Sequence, residues 1–147
     1  MGLGIRRVVT GFDNDGRAIV QHDDVLEGVS PYANVTVGNI WTTDDFPLAV
    51  DSENDRGAVK IPREPPARHS IFRVVRFDPG NNRDMHVTKS IDYAVIISGE
   101  IDMELDDGVM VHLNVGDTLV QQATIHGWSN TGTEPCVIAF ALISTES

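Results

Sequence analysis

Apolar and polar residues alternate along most of this chain, and the alternation predicts strands almost throughout. Residues 5–10 (IRRVVT) and 17–21 (RAIVQ) flank GFDNDG, a turn-rich stretch that closes a hairpin. Residues 33–41 (ANVTVGNIW) are β-branched and alternating and predict a third strand. The character changes over residues 42–69, where acids and Pro62, Pro65 and Pro66 exclude a helix and predict a long irregular connection over the surface. The period-2 pattern returns at residues 71–77 (IFRVVRF), which end in the turn DPGNNRD. Residues 92–98 (DYAVIIS) are apolar on both faces, which predicts a central strand covered on both sides.

The clearest segment is EIDMELDDGVMVHLNVGD. Ile101, Met103 and Leu105 alternate with Glu100, Asp102 and Glu104, Asp107-Gly108 makes a tight turn, and Val109, Val111 and Leu113 alternate on the return. TLVQQ and CVIAFALI supply the last strands. Short strands at regular spacing with Gly-centred turns predict an all-β sandwich or barrel, with no internal repeat and no second domain.

Composition narrows the function classes. Hydrophobic residues make up 41% and charged residues 22% of the 147 positions, ordinary values for a globular chain able to bury a core. A formal charge of −11 argues against nucleic-acid binding and against docking on anionic lipid, both of which need clustered Lys and Arg. No apolar run is long enough for a membrane helix, and the N-terminus lacks the pattern of a secretory signal. With Cys136 the only cysteine, no internal disulfide forms, and a cytoplasmic location is expected.

Candidate chemistry centres on His86, Asp92 and His126. Two imidazoles and a carboxylate are a sufficient protein ligand set for Zn²⁺ or for a non-haem Fe²⁺ centre with open positions. Strand parity puts Asp92 on the face of Ala94 and Ile96. Arg73 and Arg76 fall on opposite faces of their strand, so at most one turns inward, where it could clamp a substrate carboxylate bidentately, and for each an outward ion pair is the simpler expectation. Trp128 shares the parity of His126 and reads as core or pocket wall. Alternation puts His112 on a solvent face, while His22 and His69 lie in loop-like contexts and Cys136 reads as a buried thiol. GFDNDG lacks the downstream Glu of a calcium loop.

The stretch from Gly80 to Asn130 resembles the two sequence motifs of the cupin superfamily. The first stands here as Gly80, NNRDM, His86, Val87, Thr88, KSI, Asp92, YAVIIS, Gly99, with Thr88 in place of the second histidine and Asp92 in place of the glutamate. The second stands as Gly116-Asp117, TLVQQATI, His126, GWS, Asn130, one residue shorter than the common form. The chain is similar to single-domain cupins with this altered ligand set. The resemblance implies a small antiparallel jelly-roll β-barrel, one cupin domain over residues 1–147. Residues 70–147 would carry both motifs, and the N-terminal strands and long loop of residues 1–69 would pack outside.

The resemblance further implies an inner wall carrying His86, Thr88 and His126, and a homodimer paired through the N-terminal strands. Several functions stay open. In one, His86, Asp92 and His126 hold a single divalent metal (Zn, Fe, Mn or Ni), and Thr88 or Gln122 orients substrate or water in a lyase, decarboxylase or isomerase acting on a small organic acid. In another, the barrel is a metal-free binding module for a small polar metabolite. In a third, His126 or His86 serves as a general base without metal.

Overall fold

The computed structural model describes residues 2–147. Eleven strands form: β1 (Ile5–Phe12), β2 (Ala18–Leu26), β3 (Val29–Tyr32), β4 (Val35–Thr43), β5 (Ser70–Phe77), β6 (Ser90–Ser98), β7 (Ile101–Glu104), β8 (Met110–Leu113), β9 (Thr118–Gln122), β10 (Gly127–Ser129) and β11 (Cys136–Ser144). Every strand pairing is antiparallel. The main sheet has the order β3-β4-β5-β11-β6-β9, a second has β10-β7-β8, and β1 and β2 form a separate ribbon. Among the described residues only a short 3₁₀ turn at Asp106–Gly108 is helical, and it closes the β7–β8 hairpin with Asp107 and Gly108 at φ 58° and 71°. The architecture is therefore all-β, as the alternation predicts.

The core lies between the two larger sheets. Ile71, Val75 and Phe77 of β5, Ala94 and Ile96 of β6, and Ile138, Phe140 and Leu142 of β11 pack with Ile101, Met103, Leu113 and Trp128 from the smaller sheet. One face of each strand is thus withdrawn from water, the arrangement that period-2 patterning encodes. Gly99, which links β6 to β7, needs its residue type: φ is +74°, and a Cβ there would collide with the Pro135 carbonyl. Cys136 is fully buried beside this link, and burial pushes its thiol up to about 11.

Three expectations change. The N-terminal strands do not all pack outside, because β4 pairs with β5 from Val35↔Phe77 to Thr43↔Ser70 and so belongs to the main sheet. Strand β6 is central in hydrogen bonding but is not covered on both sides: Tyr93 is 52% and Ile97 46% exposed. Two strands were not legible, β3, which contains Pro31 and is exposed along its length, and β10, which is only three residues long. Outside the sheets, buried Arg7 ties the β1–β2 ribbon and residues 51–58 to β4, through Asp24 (2.6 Å), Asp55 (2.8 Å) and the Ile40 carbonyl (3.2 Å).

The long connection, residues 44–69, is irregular as expected. Its Pro62–Arg63 portion is a strap held to β5, with the carbonyls of both residues accepting from Arg73. Among the described residues, no helix is long and apolar enough to cross a membrane.

Candidate functional site

A cavity of about 120 Å³ is lined by residues of the main sheet, by Trp128 of the smaller sheet and by Arg63 of the strap. Its walls are largely aliphatic and aromatic, with Phe77, Trp128 and Phe140 prominent, and His86, Thr88, Asp92, His126, Arg63 and Arg73 converge on it. An apolar pocket with a few convergent polar groups is the usual form of a small-molecule site.

His86 and His126 are joined by their backbones. His86 N–H donates to the His126 carbonyl (2.9 Å), and His126 N–H returns the bond to the His86 carbonyl (3.0 Å). This isolated antiparallel bridge brings the two rings to a centroid separation of 4.4 Å. His126, 3% exposed, donates through Nδ1 to the Thr124 carbonyl at 2.8 Å and stands edge-on to Trp128. A carbonyl can only accept, so this contact fixes the proton on Nδ1 and leaves the lone pair of the neutral ring on Nε2.

His86 is placed differently. Its Nδ1 lies 2.7 Å from both the Asp84 carbonyl and Arg63 Nη2. One nitrogen cannot donate to the carbonyl and accept from the guanidinium at once, so the position of Arg63 decides which ring nitrogen of His86 carries the proton. Burial holds His86 below the usual imidazole range, with the neighbouring His126 and Arg63 acting in the same direction and the Asp84 carbonyl opposing.

Asp92 points inward with Ala94 and Ile96, as its parity predicts, and is 5% exposed. Its carboxylate is already engaged: Ser90 Oγ donates to Oδ1 at 2.6 Å and Gln121 Nε2 to Oδ2 at 3.0 Å. Ser90 Oγ also lies 3.2 Å from Thr88 Oγ1, and Gln121 Oε1 accepts from Thr124 N–H (2.5 Å) and Oγ1 (2.8 Å). Burial raises the Asp92 carboxyl above its ordinary value, against the pull of those two donors and of His126 and Arg73.

The structure therefore brings together two of the three predicted ligands and gives the third to other partners. Among the described residues, no group of three or more His, Cys, Asp and Glu side chains is placed to hold a metal ion. Protein sites for catalytic zinc use three protein ligands, and the donors as they stand do not fit such a centre.

Other predicted residues divide. Thr88 is buried at the pocket wall. Gln122, expected to orient substrate, is exposed on the outer face of β9; a shift of one residue reverses the face, and Gln121 is the glutamine that turns inward. Arg73 turns inward and is 8% exposed, against the expectation of an outward ion pair, while Arg76 pairs with Asp78 at 3.1 Å. Asn130 is buried and structural, donating to the Phe77 and Glu134 carbonyls. His112 is exposed as predicted and sits 2.7 Å from Asp102.

Sequence reasoning missed Ser90 and Gln121. Ser90 was detectable from its parity with Asp92, because positions 90 and 92 share a strand face.

Comparison with known proteins bears on this arrangement. The Cupin domain family (Cupin_2) matches residues 73–143. The cupin-domain-containing oxidoreductase srdD of Neurospora crassa is 30% identical, over 95% of this chain and 76% of its own length. The cupin-domain-containing oxidoreductase fogC of Aspergillus ruber is 31% identical over 95% and 74%. Among solved structures, KdgF from Halomonas sp. superimposes with a TM-score of 0.56 at 18% identity, over 92% of this chain and 94% of that one, a likeness of fold.

Proposed function

This chain belongs to the cupin superfamily, and from that premise we propose that it binds a small organic acid between its two larger sheets and moves a proton on it through His126 and His86. The reading takes those sheets as the walls of the family's jelly-roll barrel. The observation that carries it is the pinned Nδ1 of His126, bonded to the Thr124 carbonyl at 2.8 Å, which presents the basic Nε2 at a cavity the ring lines. A base held in one tautomer and one orientation needs no reorganisation when it takes a proton.

With Arg63 in contact, His86 Nδ1 accepts from the guanidinium, so the proton of the neutral ring sits on Nε2. The pair then offers a proton acceptor, His126, beside a proton donor, His86. Abstraction of an acidic C–H next to a carbonyl and return of a proton to the enolate is isomerase-type chemistry, and expulsion of a β-substituent from the same enolate, protonated by His86 as it leaves, would be its lyase counterpart. The relatives srdD and fogC are described as oxidoreductases.

A second reading rests on the same hydrogen bond. A histidine that donates Nδ1–H to a carbonyl presents Nε2 as metal ligands do, so His126, together with His86 once its Nδ1 donates to the Asp84 carbonyl instead of accepting from Arg63, would hold a divalent metal through two protein ligands. Such a metal would supply Lewis-acid polarisation of a substrate oxygen.

Untagged protein incubated in ²H₂O with pyruvate and phenylpyruvate tests both readings, with exchange followed by ¹H NMR and the protein analysed for metals. Exchange above the buffer rate, lost in His126→Ala and independent of chelator, is expected. Near-stoichiometric metal lost in His86→Ala and His126→Ala would favour the second reading. Binding of these acids without exchange would leave a binding module.

A further inference from the structure

Arg73 is the polar group in the cavity that proton transfer does not use. It stands on the inner face of β5 with Ile71, Val75 and Phe77, and is 8% exposed. Its guanidinium donates to three acceptors: Nε to Asn39 Oδ1 (3.1 Å), Nη1 to the Arg63 carbonyl (3.0 Å) and Nη2 to the Pro62 carbonyl (3.5 Å). All three acceptors are neutral. A guanidinium has five N–H groups, so one on each Nη is left over.

The nearby carboxylates are committed elsewhere. Asp84 pairs with Arg63 at 2.6 Å, and both oxygens of Asp92 accept from Ser90 and Gln121. Among the described residues, no carboxylate lies in ion-pair contact with Arg73. An arginine does not escape burial by losing its proton, so a positive charge hydrogen-bonded only to neutral acceptors faces a cavity whose apolar wall is Val75, Phe77, Trp128, Phe140 and Leu142 and whose polar wall includes Asp92 and the two histidines.

We propose that Arg73 is the anchor for the anionic head of the ligand, and that the ligand is a monocarboxylate with a small apolar body. A carboxylate matches the two remaining Nη–H groups as a bidentate partner. The aromatic and aliphatic walls suit a small hydrocarbon body, and with about 120 Å³ of enclosed space, less than the roughly 150 Å³ that takes in a whole benzene, a larger body would extend out through the opening. The strap takes part, because its Pro62 and Arg63 carbonyls hydrogen-bond Arg73 while Arg63 itself lines the cavity. The assignment rests on the cavity being the ligand site proposed above, and not on the proton transfer.

Benzoate and its uncharged isostere benzamide test this by calorimetric titration of wild-type protein, Arg73→Gln, Arg73→Lys and His126→Ala. Benzoate is expected to bind wild type at least 10-fold more tightly than benzamide. That preference should vanish in Arg73→Gln, return in part in Arg73→Lys, and persist in His126→Ala. Equal binding of benzoate and benzamide by wild type overturns the proposal, as does unchanged benzoate affinity in a folded Arg73→Gln. Should Arg73→Gln not fold, by circular dichroism, the wild-type preference together with Arg73→Lys decides the question. Failure of wild type to bind either benzoate or hexanoate also overturns it. Arg73-dependent benzoate binding without exchange of keto-acid protons would remove the proton-transfer reading and leave this assignment standing.

Discussion

Two polar groups meet in the cavity, and they differ in what they have left to offer. At one side, His126 spends Nδ1 on a backbone carbonyl and His86 spends Nδ1 between Asp84 and Arg63, so each ring keeps Nε2 without a protein partner. At the other, Thr88, Ser90, Asp92, Gln121 and Thr124 hydrogen-bond among themselves. The imidazole pair is built by backbone geometry and is open to a ligand; the carboxylate cluster is built from side chains and is closed. Occupying the position of a ligand in a motif does not make a residue available as one. The test is whether its lone pairs are still free.

The largest effect follows from removing the open side. His126→Ala is expected to lower the rate of keto-acid proton exchange by roughly 10²–10⁴-fold, the usual contribution of a general base. Retention of at least a tenth of the wild-type rate would show that His126 is not the base.

The closed side is probed by stability. Ser90 is fully buried and Ser90→Ala removes the 2.6 Å bond to Asp92, so unfolding in urea should come about 1–3 kcal/mol sooner, the cost of a buried acceptor losing a partner. Gln121→Leu should cost a similar amount, while Gln122→Ala, exposed on the opposite face of β9, should change stability by less than about 0.5 kcal/mol. Equal effects at positions 121 and 122 would break the distinction between a closed cluster and a free carboxylate.

That pair of glutamines marks how far the sequence could be read. The fold is legible because its information is local: alternation in EIDMELDDGVMVHL, the Asp107-Gly108 turn and the spacing from Gly80 to Gly99 each act over a few residues. His86, Asp92 and His126 are legible as cavity residues for the same reason. Which glutamine of TLVQQ turns inward depends on the register of β9 against β6, Asp92↔Gln121, which the two adjacent glutamines cannot signal. The orientation of Arg73 was missed because the strap carbonyls that satisfy it come from an irregular segment with no period to read. Availability of Asp92 was missed because it depends on hydrogen bonds across strands, 29 residues apart for Gln121.

A smaller effect separates the two sides by pH. The Asp92 carboxyl titrates above its ordinary value in the folded protein, so the folded state holds that proton more tightly than the unfolded chain does. Its contribution to stability is therefore full below the ordinary carboxylate value of about 3.9 and is lost as pH rises through the folded value. Asp92→Asn has no proton to lose. The stability of the variant relative to wild type should grow as pH rises over that window and then level off, measured by urea unfolding at pH 4, 5.5 and 7. A gap that shrinks with rising pH would mean that the carboxylate is stabilised in its charged form, as a free or metal-ready ligand would be.

The smallest effect concerns the hinge between the two sides, Arg63. Its guanidinium contacts His86 Nδ1 while pairing with Asp84, and its charge is one of the influences that hold His86 below the usual imidazole range. Arg63→Ala removes that cation and opens the His86 ring to water, and both changes favour the imidazolium. The titration of His86, followed by ¹³C-edited NMR of its ring Cε1–H, should move upward, toward the ordinary imidazole value. The Asp84 carbonyl then becomes the only partner of Nδ1, so His86 should adopt the tautomer of His126, with the proton on Nδ1. The two rings would become alike, and an acid–base pair that needs them unlike should lose activity without losing the fold. An unmoved titration with full activity would mean that the strap only covers the cavity and does not set the proton of His86.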